Sequence, residues 1–310
     1  MSGLFDFTDY GALLGLVSDS LIAAAVLGVV GGLVGVFVQI RDMQFAVHGI
    51  SELSFAGASA ALLLGVNVAA GSIVGSLIAG ALIGALGVRA RDRNSVIGVL
   101  MPFGLGLGVL FLSLYQGRAV NKFGLLTGQI VAVDTVQLGW LVGVGAAVLL
   151  GLALIWRPLL FVSADPEVAV ARGLPAGALS VLFALLLALA AALAVQVVGA
   201  LLVLALLVTP AAAAFRVTAS PLLAPVLSVA FAVTSAVGGI LLALGSSVPI
   251  SPFVTTISFA IYLACRLIGP RRSRRRARPA TERAPAGLDP AAATATGPSA
   301  PAAAAEGVRR

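Results

Sequence analysis

Long apolar runs fill most of the chain, and short polar segments separate them. Nine runs approach the length of a membrane span: 20–38, 47–64, 69–88, 96–114, 136–156, 176–195, 197–214, 222–244 and 253–268. About 20 apolar residues in a helix cross the hydrocarbon core of a bilayer. The runs are continuous, whereas strands of a membrane β-barrel alternate apolar and polar residues. The pattern therefore predicts an all-α polytopic membrane protein with about nine transmembrane helices.

The run 197–214 is the weakest of the nine. It is short, and Pro210 interrupts it. Proline removes a backbone donor and breaks or kinks a helix. A protein with eight spans and a re-entrant element at 197–214 is therefore the alternative, and the sequence favours eight to nine spans.

Composition and charge agree with a membrane protein and predict its orientation. Of the 310 residues, 60% are hydrophobic and 10% are charged, whereas soluble domains carry about 25% charged residues. The first basic residue is Arg41, and later basic loops contain Arg91, Arg172 and Arg216. Because basic loops stay in the cytoplasm, we expect the N-terminus outside and the C-terminus in the cytoplasm. Arg118 and Lys122 then lie outside, against this rule.

The last forty residues differ from the rest of the chain. The segment 270–310 is rich in Pro, Ala and Arg and has few large apolar side chains. Such a composition cannot bury a core. We therefore expect two parts, a transmembrane permease domain at 1–269 and a disordered basic cytoplasmic tail at 270–310.

His48 and Glu52 are the candidate chemistry inside the membrane. His48 is the only histidine of the chain, and Glu52 follows four residues later within an apolar run. In a helix this spacing places both side chains on one face. Ionisable residues within a bilayer usually face the bundle interior or a water-filled path, and divalent transition metals accept imidazole and carboxylate ligands. Two interpretations stay open, a metal pathway and a hydrogen-bonded structural pair.

The sequence gives little sign of catalysis. It has no phosphate-binding loop of the Gly-x-x-x-x-Gly-Lys-Ser/Thr type, and Lys122 is its only lysine. It also lacks a second histidine and a cysteine cluster. A transport subunit without its own ATPase site is therefore expected, with no permanently bound cofactor.

A short polar loop has the signals of a small helix. Asp165, Pro166 and Glu167 suit a helix start, and Gly173 suits a helix stop. The expected helix has about two turns and lies in a cytoplasmic loop. From these residues alone, an ordinary connecting helix and a docking element for a cytoplasmic partner are equally supported.

Three stretches together resemble the membrane permease subunit of bacterial ABC importers for zinc, manganese or iron. The segment 127–130, Thr-Gly-Gln-Ile, lies where members often have Phe-Gly-Asn/Ser-Ile. The segment 165–173 is similar to the family's Asp-x-Glu-x-Ala-x-x-x-Gly loop. The segment 197–214 is similar to its Val-Val-Gly-x-Leu-Leu stretch that ends in Pro-Ala-Ala-x-Ala. The resemblance covers about residues 15–270.

The resemblance implies a homodimer, with a cytoplasmic ATP-binding subunit that hydrolyses ATP and an extracellular metal-binding protein that delivers Zn, Mn or Fe. It implies a multi-pass protein of the bacterial plasma membrane. The ATPase would dock on a coupling helix that includes Asp165, Glu167, Ala169 and Gly173. His48 and Glu52 would line the metal path.

The chain departs from the family at two places. Relatives commonly read Asp-x-x-x-His where this chain has His48 and Glu52 in reversed order. Relatives also often carry an aspartate near residues 247–251, where this chain reads Ser-Val-Pro-Ile-Ser. Three alternatives therefore stay open: an ABC permease for chelated iron or cobalamin, an ion-coupled secondary transporter that uses Glu52, and a non-transporting membrane scaffold.

Overall fold

The computed structural model of the chain describes residues 17–86, 90–117, 124–125, 135–244 and 250–276. All regular elements within these ranges are helices, as predicted. In chain order they are α1 Ser18–Ile40, α2 Gln44–Leu64, α3 Val68–Leu86, α4 Ala90–Leu114, α5 Thr135–Ala164, α6 Pro166–Ala171, α7 Ala176–Val198, a 3₁₀ turn Ala200–Leu202, α8 Val203–Leu207, α9 Thr209–Val217, α10 Leu223–Leu244 and α11 Ile250–Arg276.

Among the described residues, eight helices are long and apolar enough to cross a membrane, namely α1 to α5, α7, α10 and α11. This confirms the polytopic all-α class. Helix α7 lies inside the bundle and packs against α1, α2, α3 and α5. Its buried side chains include Phe183 and Leu187, each fully excluded from solvent. The pathway helix predicted from the sequence, α2, packs between α3, α4 and α7.

The seventh predicted span, 197–214, is divided. The chain turns at Gly199, whose φ of 82° and ψ of 159° suit glycine alone. The 3₁₀ turn, α8 and α9 follow, and Pro210 lies in the first turn of α9, where proline is tolerated. Gln39 Nε2 donates to the Val208 carbonyl at 3.2 Å, and Ser258 Oγ donates to the Ala205 carbonyl at 2.9 Å. The Val208 carbonyl also accepts from the Ala212 amide at 3.0 Å, so the two side-chain bonds mainly connect the divided segment to α1 and α11.

Glycines bring α2 and α3 into close contact. Gly57 of α2 lies against Gly71 of α3, and Gly75 lies against the carbonyl oxygen of Leu53. At all three glycines a Cβ atom would collide with the facing helix. Small residues at such positions let membrane helices pack backbone to backbone, and this packing fixes the position of α2.

Gly75→Ala is expected to destabilise the bundle by about 1–3 kcal/mol, the usual cost of overpacking. The added methyl group would meet the Leu53 carbonyl oxygen, a backbone atom that cannot rotate away. Thermal unfolding of the detergent-purified chain measures the effect. Gly106→Ala is the matched control, because a Cβ at Gly106 meets no atom within 4 Å. Equal melting temperatures for the two variants would contradict the close packing of α2 on α3.

The chain divides into two units, Met1–Pro270 and Arg271–Arg310. The predicted boundary at 269/270 lies inside α11, whose backbone is helical to Arg276. Residues 277–310 lie outside the described residues, so the disordered tail stays a prediction.

Candidate functional site

His48 and Glu52 lie one turn apart on α2, in the half of the helix that begins at Gln44. Nε2 of His48 and Oε1 of Glu52 are 3.7 Å apart. This distance is too long for a hydrogen bond. Two ligand atoms that are each about 2.1 Å from one ion can be separated by up to about 4 Å. The geometry therefore allows the two side chains to share a cation.

The surroundings of the pair leave polar atoms unsatisfied. The Glu52 side chain is 5% exposed and the His48 side chain is 30% exposed. Within the described part of the chain, His48 Nδ1 and Glu52 Oε2 are buried and have no hydrogen-bond partner. A buried polar atom without a partner is costly. Glu52 Oε2 therefore retains capacity for a ligand that the surrounding helices do not supply, whereas Nδ1 of His48 cannot bind the same ion as Nε2.

The pair is an incomplete metal site. In the described ranges, no group of three or more His, Cys, Asp or Glu residues could hold a metal ion. A structural zinc site uses four ligands, whereas a conduction path must bind its ion weakly enough to release it. Residues 247–249, part of the stretch where relatives often carry a carboxylate, lie outside the described residues. Ser251, the second residue of α11, is buried.

The predicted docking loop forms the short helix α6. Asp165 is its N-cap, and Oδ1 of Asp165 accepts a hydrogen bond from the Val168 amide at 3.1 Å. Pro166 takes the first helical position. After α6 ends, Gly173 has a φ of 82°, a conformation that favours glycine. The predicted start and stop of this helix are therefore confirmed.

The exposed and buried sides of α6 have different roles. Ala169 is fully buried, and α6 packs against α5 and α7. Ala169 therefore anchors the helix to its own chain and is not available to a partner. Glu167 is exposed, as are Val168 (41%) and Val170 (59%). Val168 and Val170 lie on opposite flanks of the buried Ala169, with Glu167 on the outer side between them. A partner protein could cover this outer side of α6.

The sequence did not reveal the contacts of Arg41, which was used only to predict topology. Nη1 of Arg41 donates to Ser163 Oγ at 3.1 Å, and Nη2 donates to Ser180 Oγ. Arg93 Nη2 donates to the Arg41 carbonyl at 3.2 Å. Ser163 and Ser180 are distant in sequence from Arg41, and neither belongs to a motif that would reveal the contact. Arg41 thus connects the turn before α2 with both ends of the loop that carries α6.

One of the three stretches that carry the resemblance, 127–130, lies outside the described residues. The site described above therefore does not include it.

Comparisons with known proteins show which proteins this chain resembles in sequence. A model of the ABC 3 transport family matches residues 14–268. The chain is 32% identical over 241 residues to the manganese transport system membrane protein MntC of Halalkalibacterium halodurans, which covers 77% of this chain and 82% of that protein. It is 30% identical over 273 residues to the manganese import system permease protein ScaB of Streptococcus gordonii. This match covers 88% of this chain and 95% of that protein.

A solved structure has the same fold. A chain of PsaBC from Streptococcus pneumoniae in complex with Fab superposes with a TM-score of 0.77 at 28% sequence identity, over 88% of this chain and 99% of that chain. The family match covers residues 14–268, a range that includes the pair and the α6 loop. The chain therefore belongs to the ABC 3 transport family.

Proposed function

We propose that this chain is the transmembrane permease subunit of an ATP-binding-cassette importer that moves manganese, zinc or iron into the cytoplasm. The observation that carries the proposal is the His48–Glu52 pair, in which Glu52 is buried and His48 is partly exposed. Its two side chains lie 3.7 Å apart and retain unsatisfied polar atoms among the described residues. The manganese transport named for two relatives makes Mn²⁺ the first ion to test.

The pair contacts the ion during its passage. The imidazole of His48 and the carboxylate of Glu52 are ligands that suit Mn²⁺, Fe²⁺ and Zn²⁺. The Glu52 carboxylate supplies a negative charge where the neighbouring helices are apolar, which lowers the cost of bringing a divalent cation into the membrane. Two ligands bind weakly, so the ion can leave the site after each conformational change.

Partners supply the other functions of the importer. A separate ATP-binding subunit hydrolyses ATP and docks on α6, where Glu167, Val168 and Val170 are exposed. An extracellular binding protein delivers the metal, and two copies of this chain form one pathway. The chain crosses the bacterial plasma membrane with its N-terminus outside and its C-terminus in the cytoplasm, and it holds no permanent cofactor.

Metal uptake by the reconstituted complex tests the proposal. Vesicles would contain the full chain with its ATP-binding subunit, and the binding protein would be added outside with radiolabelled Mn²⁺, Zn²⁺ or Fe²⁺. We expect uptake of one metal that requires hydrolysable ATP inside the vesicle and stops with a non-hydrolysable analogue.

Two results would overturn the proposal. Uptake that continues without ATP and collapses with the proton gradient would indicate a secondary transporter in which Glu52 carries protons. An intact complex that takes up none of the three ions would indicate another substrate or a scaffold.

A further inference from the structure

Arg41 lies in the three-residue turn between α1 and α2. The turn is tight, since Asp42 has a φ of 51°. Only Asp42 and Met43 separate Arg41 from Gln44, where α2 begins. The Arg41 amide donates to the Phe37 carbonyl at 2.9 Å and caps α1. The backbone of Arg41 is therefore joined rigidly to α1 on one side and, through two residues, to α2 on the other.

The side chain of Arg41 holds both ends of the docking loop. Ser163, which accepts from Nη1, lies two residues before Asp165, the N-cap of α6. Ser180, which accepts from Nη2, lies in the first turns of α7. One planar guanidinium thus bridges the helix before α6 and the helix after it. A lysine has a single nitrogen and lacks the fixed fork of this side chain.

Aromatic packing keeps the guanidinium in place. The Arg41 guanidinium lies 5.8 Å from the centre of the Phe183 ring of α7. Phe37 of α1 meets Trp156 of α5 edge to face, with ring centres 4.8 Å apart. Helices α1, α5 and α7 therefore form one packed unit at the level of the docking loop.

Arg41 is held by neutral acceptors. In the part of the chain that the structure describes, no carboxylate lies within ion-pair distance of Arg41. Burial and the positive charge of Arg93 both lower the pKa of Arg41, yet a guanidinium stays protonated in proteins. Hydrogen bonds to serine hydroxyls are weaker than ion pairs.

We propose that Arg41 is a positioning residue that transmits movement of the docking loop to the pathway helix α2. The inference rests on the proposed importer function. When the ATP-binding subunit moves α6, the ends of α5 and α7 move with it, and Arg41 carries the displacement to the start of α2. His48 lies only seven residues after Arg41, so the first turns of α2 bring the movement directly to the pair.

The test measures Mn²⁺ uptake and ATP hydrolysis in the same vesicles and compares the number of ions imported per ATP. For Arg41→Ala we expect assembly with the ATP-binding subunit and ATP hydrolysis close to wild type, with about tenfold fewer ions per ATP, a typical size for coupling between sites. Arg41→Lys is expected to restore the ratio only in part, because lysine cannot bridge both serines.

Two further variants distinguish a loss of coupling from a general loss of folding. The double variant Ser163→Ala and Ser180→Ala keeps Arg41 and removes its two acceptors, so the ratio of ions to ATP should fall again. Arg216→Ala is the matched control, because Arg216 contacts Tyr262 of α11 and leaves the docking loop untouched.

The outcomes separate this inference from the proposed function. If Arg41→Ala and the double serine variant keep the wild-type ratio, or lose uptake and hydrolysis in parallel, Arg41 has no transmitting role while the importer function stands. If the wild-type complex itself shows no ATP-dependent uptake, the proposed function fails, and the inference fails with it.

Discussion

Glu52→Gln is expected to reduce ATP-dependent Mn²⁺ uptake by about 100-fold, the upper range for changes that weaken metal contacts in proteins. Glutamine has nearly the shape of glutamate but no negative charge. The side chain is 5% exposed, so solvent water does not reach this position to compensate for the missing negative charge. The initial rate of ⁵⁴Mn²⁺ uptake by the complete complex, at saturating ATP, measures the effect.

The stability of Glu52→Gln distinguishes a metal ligand from a structural group. A pair that locked the bundle would need a hydrogen bond, but the 3.7 Å separation from His48 is too long for one. Burying a charge without a hydrogen-bonded partner is costly, so removing the charge of Glu52 should not destabilise the fold. We therefore expect an unchanged or higher melting temperature together with the loss of uptake.

Ser54→Ala is the matched control for this experiment. Ser54 lies on a different face of α2, and its hydroxyl bonds to Ser72 of α3 at 2.7 Å. Losing that buried hydrogen bond costs about 1 kcal/mol of stability, while uptake should persist. Wild-type uptake by Glu52→Gln would show that the carboxylate is not part of the ion path.

The fold was largely readable from the sequence because bilayers impose simple rules. Continuous apolar runs predicted the order of the helices and the eight that are long enough to span, and the spacing of His48 and Glu52 predicted their shared face. The same rules could not predict the path of the segment 197–214. Its break depends on Gly199 in a glycine-only conformation and on distant donors such as Gln39 and Ser258, which a local pattern does not contain.

The contacts of Arg41 illustrate a second limit. A positive residue after an apolar run is the usual mark of a cytoplasmic loop, so topology alone explained its presence. Its acceptors lie 122 and 139 residues away along the chain. Only the packing of α1 against α5 and α7 brings these serines to it, and serine is too common in membrane helices to reveal such a partner.

The sequence predicted the docking helix α6 in part. Local capping rules predicted its start at Asp165 and its stop at Gly173, since both depend on neighbouring backbone groups. They could not say which side faces outward. Burial shows that Ala169 faces its own chain, so an ATP-binding subunit that docked on α6 would meet Glu167, Val168 and Val170.

Val170→Asp is expected to weaken binding of the ATP-binding subunit by about 30-fold or more, as happens when a central apolar contact of an interface is lost. Val170 is 59% exposed, so the isolated chain should fold as before. In the complex, however, the new carboxylate would lose its water inside an apolar contact, which is costly without a partner. Binding of the purified ATP-binding subunit to the full chain in detergent, with ATP hydrolysis by the same samples, measures the change.

Val66→Asp is the closest control that the chain offers. Val66 is also 59% exposed, but it follows the far end of α2, about 30 Å along the helix from Gln44. Arg41, three residues before Gln44, touches the ends of the docking loop, so Val66 lies at the opposite end of the bundle. The same new charge should therefore leave the affinity for the ATP-binding subunit unchanged at this position. If Val170→Asp and Val66→Asp bind that subunit equally well, α6 is an ordinary connecting helix, and the contact that transmits ATP hydrolysis must lie elsewhere.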